Sequence, residues 1–82
     1  MNRETAAVRM GERWAERGAA TMRTPAADWP LRWPHGSENA RSLVEPMIDD
    51  DTPDRGHLVA RLTEICLDSA RRRFREVRVR RV

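Results

Sequence analysis

Arginine side chains near the C-terminal end carry the clearest chemistry in this sequence. Residues 69–82 contain seven arginines and one acid, and each guanidinium offers five N–H donors in a planar fork that fits carboxylates and phosphates. We predict that this end contacts anionic groups of a partner, either protein carboxylates or nucleic-acid phosphates. Arg73 is left out because it would lie off the helix face shared by Arg71 and Arg75. The alternative is that the arginines pair with acids of the same chain or are only solvated. The predicted contact residues are Arg71, Arg72, Arg75, Arg78, Arg80 and Arg81.

A run of aspartates gives the middle of the chain the opposite charge. Residues 42–68 hold seven acids and two arginines, although the whole chain has a net charge of only +3. A calcium loop starting at Asp49 would need glycine at its sixth position and glutamate at its twelfth, where this sequence has Asp54 and Ala60. We therefore predict no metal or other cofactor here. The aspartates are either an exposed acidic cap on the following helix or a contact surface that meets arginines of a partner or mimics nucleic-acid phosphate. The predicted contact residues are Asp49, Asp50, Asp51 and Asp54.

The proline-rich stretch over residues 23–36 contains two Trp-Pro pairs. In an extended segment Trp29 and Trp33 would lie about 12 Å apart, a separation that suits two pockets of a partner. Tryptophan is enriched at the energetic hot spots of interfaces, so we predict that both contact a partner. The alternative is that a core short of large apolar residues buries them.

No set of residues for catalysis is recognisable. Cys66 lies on the apolar face of a predicted helix, where a thiol packs more often than it reacts. His35 and His57 have no regular spacing to carboxylates or to Cys66. Leucine, isoleucine, valine and phenylalanine make up only 14 of the 82 residues, too few to enclose a deep cavity around a substrate. We therefore predict that the protein is not an enzyme.

Cysteine content and N-terminal composition bear on the cellular compartment. A single cysteine excludes an intrachain disulfide and fits a reducing environment. The longest uncharged stretch near the N-terminus, Gly18 to Met22, is too short for a secretory signal, and the early glutamates argue against an organelle transit peptide. We expect a cytoplasmic protein with no transmembrane segment and no membrane partner.

The first segment with helical periodicity covers residues 4–22. Its apolar stripe consists of small residues around one large aromatic side chain, Trp14. Gly11 and Gly18 each cost about 1 kcal/mol relative to alanine inside a helix. They either let a second backbone approach closely, which would offset that cost, or they fray the helix.

The second helical segment covers residues 53–74 and joins the run of aspartates to the arginine-rich C-terminal residues. Its apolar positions recur at helical spacing. Thr52 suits the N-cap and Pro53 suits the first helical position. A shorter segment, 37–48, fits a helix and a strand equally well.

The last residues have the period of a strand. Val77 and Val79 alternate with charged residues over 76–81, which would give the strand one apolar face. The alternative is that these residues are a fraying helix end. A single strand needs a neighbour, which would be 31–33, 42–48 or a second copy of the chain.

These elements predict a single small domain over residues 1–82, with a connector at 23–36. Its fold class is α+β and mainly helical: two amphipathic helices (about 4–22 and 53–74) and a short C-terminal strand (about 76–81) in a small antiparallel sheet. The alternative is an all-α fold.

Together these features predict a non-catalytic interaction protein that binds and occludes a charged surface of a larger protein or ribonucleoprotein machine. In size and composition the sequence is similar to the small accessory proteins of phages and mobile elements, of which anti-CRISPR inhibitors are one example. That resemblance implies an inhibitor that acts by covering a site. The alternative is an arginine-rich nucleic-acid-binding accessory or regulatory protein, dimeric through its C-terminal strand.

Overall fold

Three α-helices make up most of the described chain. The computed structural model describes residues 2–21 and 36–80, with side chains through Gly18 in the first range and through Val77 in the second. No strand occurs within these residues, and none of their helices is both long enough and apolar enough to cross a membrane. The helices are α1 over Arg3–Thr21, α2 over Gly36–Val44 followed by a 3₁₀ turn over Glu45–Met47, and α3 over Arg55–Arg80.

Helix α1 begins at a side-chain cap. The Oδ1 atom of Asn2 accepts a hydrogen bond from the N–H of Thr5 at 2.7 Å, and the Asn2 carbonyl accepts the N–H of Ala6 at 3.1 Å. Asparagine is among the best N-cap residues because its side chain satisfies an N–H that has no partner inside the helix. The helix begins one residue before the predicted segment 4–22.

Helices α1 and α3 pack side by side and run in the same direction. Polar contacts join them at three levels, and the residue numbers rise together along both helices. Helix α2 lies between them in the chain and packs mainly against α3. The contacts join Glu4 Oε1 to Arg61 Nη2 at 2.9 Å, the Val8 carbonyl oxygen to Ser69 Oγ at 2.6 Å, and Glu16 Oε1 to Arg73 Nη2 at 2.8 Å.

Gly11 permits the closest contact between these two helices. A Cβ atom on Gly11 would overlap the carbonyl oxygen of Cys66 and would lie 3.0 Å from Ala70 N and from Ser69 Cβ. The backbones are therefore closer than an alanine would allow. Of the two roles that the sequence leaves open for Gly11, the structure confirms the close approach. We call Gly11 with Cys66, Ser69 and Ala70 the α1–α3 seam.

A tight turn reverses the chain between the 3₁₀ turn and α3. The N–H of Thr52 donates to the carbonyl of Asp49 at 3.1 Å, which closes a β-turn. Asp54 has a φ of 54°, in the left-handed region that aspartate tolerates better than most residues. The Asp54 carbonyl then accepts the N–H of Leu58 at 3.0 Å, which opens the hydrogen-bond ladder of α3.

The predicted start of this helix, with Thr52 as the N-cap and Pro53 as the first helical residue, is wrong. Helix α3 begins at Arg55 because the residue before it has a positive φ. Arg55 also fastens the preceding turn: its Nη2 donates to the Glu45 carbonyl at 3.1 Å and its Nε to the Ile48 carbonyl at 3.3 Å. Both carbonyls lie in the 3₁₀ turn or directly after it, where a cation is favourable, so the guanidinium stabilises the hairpin formed by α2 and α3.

The predicted strand over 76–81 is also wrong, because α3 continues as a helix through Arg80. Val77 lies about one turn beyond Phe74 and packs against the same buried cluster. An apolar residue at this position therefore satisfies the period of a helix as well as that of a strand. In the part of the chain that the structure describes the fold is all-α, not α+β, and a sheet between copies has no strand to form it.

Two clusters of buried side chains form the core along α3. The larger cluster joins all three helices, and the smaller one lies toward the C-terminal ends of α1 and α3. Trp14, which is partly buried, packs against both clusters. The larger cluster contains Ala7, Ala40, Val44, Ile48, Val59, Leu62 and Cys66, and the smaller contains Ala15, Ala70 and Phe74.

Candidate interaction surfaces

The turn before α3 displays the predicted aspartates to solvent. All four are exposed, and the β-turn and the positive φ of Asp54 place them on one short loop. Among the described residues only Asp50 has a cation nearby, with its Oδ1 3.7 Å from Arg55 Nε, and the Asp50 side chain is fully exposed. So exposed a pair is weak, and the loop keeps most of its negative charge. We call Asp49, Asp50, Asp51 and Asp54 the acidic turn.

The second half of α3 displays arginines on its outer face. Arg72 and Arg75 are exposed and have no ion pair within the described residues. Arg71 is less exposed, and its Nη1 lies 3.8 Å from Oδ1 of Asp68, which is one turn earlier. We call Arg71, Arg72 and Arg75 the basic end.

Arg73, which the sequence sets apart from the other arginines, has a structural role. Its Nη2 lies 2.8 Å from Glu16 on α1, and its Nη1 lies 3.0 Å from Glu76 on α3. The hydrogen bond to Glu16, followed by the one to Glu76, raises the pKa of Arg73 above its ordinary value. Arg73 therefore joins two helices.

The remaining predicted contact residues are not brought to either surface by the described coordinates. Arg78 and Arg80 belong to the helical backbone of α3, but their side chains lie outside the described residues, as does Arg81. Trp29 and Trp33 also lie outside the described residues. Their roles as contact residues remain predictions.

The acidic turn and the basic end are held apart by the length of α3. The distance from Asp54 to Arg75 along the helix is about 32 Å at 1.5 Å per residue. Electrostatic interactions between exposed charges are screened over about 8 Å at physiological ionic strength. No ion pair within the described residues joins one surface to the other. The two charges therefore act as separate surfaces and do not cancel each other.

Two further arginines, on α1, were missed by sequence reasoning. Arg9 and Arg13 are exposed and have no ion pair within the described residues. Because α1 runs parallel to α3, and Glu16 contacts Arg73, Arg13 lies toward the same end of the molecule as the basic end. The spacing of four residues between Arg9 and Arg13 would have placed both on one side of a helix. The sequence alone does not show toward which end of α3 they point.

Shallow grooves, open to solvent, lie on the described surface. One groove of about 360 Å³ lies between α2 and α3, and another of about 400 Å³ lies between α1 and the 3₁₀ turn. The first is lined by Ser37, Glu38, Arg41, Gly56, Val59, Ala60, Thr63, Glu64 and Leu67. The second is lined by Ala6, Arg9, Met10, Glu12, Arg13, Glu16 and Met47.

The nucleophile and metal ligands considered in the sequence do not come together in the described residues. Cys66 is fully buried, and burial raises the pKa of its thiol to about 11. The thiol is therefore protonated at neutral pH, whereas the thiolate is the reactive form. His57 is exposed on α3, and no group of three or more histidine, cysteine or acidic side chains in the described ranges is arranged to hold a metal ion.

Comparison with known proteins identifies no relative: no family model fits the chain, no curated protein matches its sequence and no solved structure matches its fold. The geometry and charge of the surfaces described above therefore carry the functional interpretation.

Proposed function

We propose that this is a non-catalytic interaction protein that binds and occludes a charged surface of a larger protein or ribonucleoprotein machine. The observation that carries the proposal is the separation of two exposed, oppositely charged surfaces by the length of α3. The acidic turn would meet basic groups of the partner, and the basic end would meet carboxylates or phosphates. The predicted place of action is the cytoplasm, and the predicted class is an inhibitor of the phage or mobile-element type.

The ion pairs of the described residues support this assignment. Arg61 with Glu4 and Arg73 with Glu16 fasten α1 to α3, so part of the charge serves the fold. The carboxylates of Asp49, Asp51 and Asp54 take no such part. Four carboxylates so close together repel one another, and a cationic partner relieves that repulsion.

Complementary charge acts mainly on the rate and the selectivity of binding. Surfaces of opposite sign steer the encounter of two proteins and disfavour partners of like sign. Affinity itself depends on a few well-packed anchors at the centre of an interface. In this proposal Trp29 and Trp33 are the anchors, and the charged surfaces set the orientation.

Affinity purification from the native cell, followed by mass spectrometry with and without nuclease, is the first test. The wild-type chain should capture the same protein in both conditions. The variant with Asp50→Arg and Asp51→Arg should lose it while its far-UV circular dichroism is unchanged. The matched control, Glu64→Arg with Asp68→Arg, makes the same change of charge on the exposed face of α3 and should retain the partner. Equal capture by both variants would remove the acidic turn from the proposal.

The second candidate is a nucleic-acid-binding accessory protein. It is favoured by Arg72 and Arg75, which are exposed and have no ion pair with any residue that the structure describes. Titration of a bare DNA duplex at two salt concentrations separates the two functions. Phosphate contacts make log K fall with log salt by about 0.9 per contact. This candidate is supported if the wild type binds the duplex tightly and the slope of log K against log salt becomes shallower by about two in the double variant Arg72→Ala, Arg75→Ala. Absence of duplex binding, together with a nuclease-resistant protein complex, supports the first function.

A further inference from the structure

The groove between α1 and the 3₁₀ turn has a methionine floor. Met10 on α1 and Met47 in the 3₁₀ turn line the groove from its two sides. Both are partly buried and pack against the larger core cluster, so part of each side chain still faces the groove. Methionine is flexible and polarizable, and it adapts to apolar groups of different shapes. The groove therefore offers an apolar contact surface of adjustable shape.

Positive charge predominates at the rim of this groove. Arg9 and Arg13 are exposed, line the groove and have no ion pair within the described residues. Of the two acids that line it, Glu16 is bound by Arg73 at 2.8 Å, which leaves Glu12. Two guanidinium groups and one carboxylate therefore remain to meet a partner.

The groove continues along α1 for about three helical turns. A neighbouring hollow of about 500 Å³ is lined by Met10, Arg13, Glu16 and Arg17, so the two share an apolar floor and a cationic rim. From Ala6 to Arg17 the helix rises about 17 Å. A partner helix of about 12 residues has the same length.

We propose that this groove, which we call the methionine groove, binds an acidic amphipathic helix of a partner protein. Apolar residues at positions i, i+3, i+4 and i+7 of that helix would pack on Met10 and Met47, as in other helix-in-groove complexes. Its acidic residues would flank the apolar stripe and contact Arg9 and Arg13. This inference does not depend on the acidic turn or on the basic end.

Selective labelling of methionine methyl groups with ¹³C gives a direct test, because the chain has only four methionines. The probe is a synthetic peptide of about 12 residues with leucine at the i, i+3, i+4 and i+7 positions and glutamate at most others. The Met10 and Met47 methyl signals should shift during titration and reach saturation. A peptide with the same leucines and lysine in place of glutamate should shift them far less.

Charge reversal then tests the rim. Arg9→Glu with Arg13→Glu should weaken binding of the acidic peptide by about tenfold or more and improve binding of the lysine peptide. The matched control, Arg3→Glu with Arg41→Glu, makes the same change of charge at exposed positions that do not line the groove and should bind like the wild type. If circular dichroism shows that the reversal unfolds the chain, Arg9→Gln with Arg13→Gln should show a smaller loss in the same direction.

Three results would overturn the proposal. The first is the absence of a selective shift at Met10 and Met47 with the acidic peptide. The second is equal binding of the acidic and lysine peptides. The third is a shift of the same two signals when the protein alone is concentrated, because that would assign the groove to a second copy of the chain. Since the methionine groove shares no residue with the acidic turn or the basic end, failure here leaves the proposed function untouched.

Discussion

Helix α3 has two packing contacts that differ in how closely the backbones approach. At the α1–α3 seam, Gly11 lies so near the Cys66 carbonyl that no side chain fits between the helices. On the side of α2, Gly56 has no atom within 4 Å of the place where its Cβ would lie, and it lines an open groove. The same residue type therefore permits a close contact between helices in one region and leaves room for a side chain in the other.

The difference shows how a chain with few large apolar residues holds its helices together. Dispersion contacts weaken quickly with separation, so two backbones in close contact gain what large side chains would otherwise supply. The seam adds a hydrogen bond of 2.6 Å from Ser69 Oγ to the Val8 carbonyl. The hairpin between α2 and α3 instead packs ordinary side chains such as Val44, Val59 and Leu62. We expect the seam to tolerate much less change than the hairpin.

The largest expected effect is that of Gly11→Ala. Alanine has the higher helix propensity, but its methyl group would overlap the Cys66 carbonyl, and overpacking of this kind costs about 1–3 kcal/mol. We expect the free energy of unfolding to fall by about 2 kcal/mol, which lowers Tm by about 8–16 °C in a domain of this size. Thermal unfolding followed by circular dichroism measures it. An unchanged Tm would mean that the seam is not a close contact.

The pH dependence of stability should show the next effect, and it depends on Cys66. Burial raises the pKa of this thiol from 9.0 to about 11. The contribution of the Cys66 thiol to the free energy of unfolding is therefore fully present below pH 9, where the folded and the unfolded chain both keep the proton. It is lost as the pH rises from about 9 to about 11, because the unfolded chain releases the proton first. The chain contains no lysine and no tyrosine, so no other side chain ordinarily titrates in this range.

Urea unfolding at about pH 8 and about pH 10.5 tests this expectation. The midpoint should be lower at the higher pH in the wild type, and the difference should shrink in Cys66→Ala. A difference of the same size in Cys66→Ala would assign the pH dependence to another group. A midpoint that rises with pH would contradict the burial of the thiol.

The smallest expected effect is that of Gly56→Ala, which is the matched partner of the first substitution. The new methyl group meets nothing within 4 Å, and Gly56 has no positive φ. Alanine also restricts the unfolded chain, so we expect a gain of about 0.4–1 kcal/mol. The same thermal unfolding experiment should show Tm rising by a few degrees. A clear fall in Tm would show that the groove beside Gly56 is closed in solution.

Local sequence patterns predict much of the secondary structure. Small residues at helical spacing indicate α1, and the long apolar stripe from Leu58 onward indicates α3, because side-chain periodicity is a local property. The charged surfaces are equally local: the acidic turn is a run of neighbouring residues, and a helix that follows it must carry the arginines to its far end. The sequence leaves the role of Gly11 open, since two outcomes fit the same pattern.

The errors occurred where one local pattern fits two structures. Val77 and Val79 have the period of a strand, yet Val77 also continues the stripe that contains Phe74, and packing against that cluster keeps the segment helical. Thr52 and Pro53 suit a helix start, but the β-turn from Asp49 and the positive φ that follows delay it to Arg55. A contact between helices therefore decided the first case, and the geometry of the turn decided the second.

Composition and periodicity were enough to establish that this chain forms amphipathic helices and carries opposite charges in separate segments, because both properties follow from neighbouring residues. The parallel direction of α1 and α3, the close contact at Gly11 and the grouping of Arg9 and Arg13 with Met10 and Met47 depend on residues far apart in the chain. Such contacts arise only when complementary surfaces meet. For that reason the tertiary structure alone shows them.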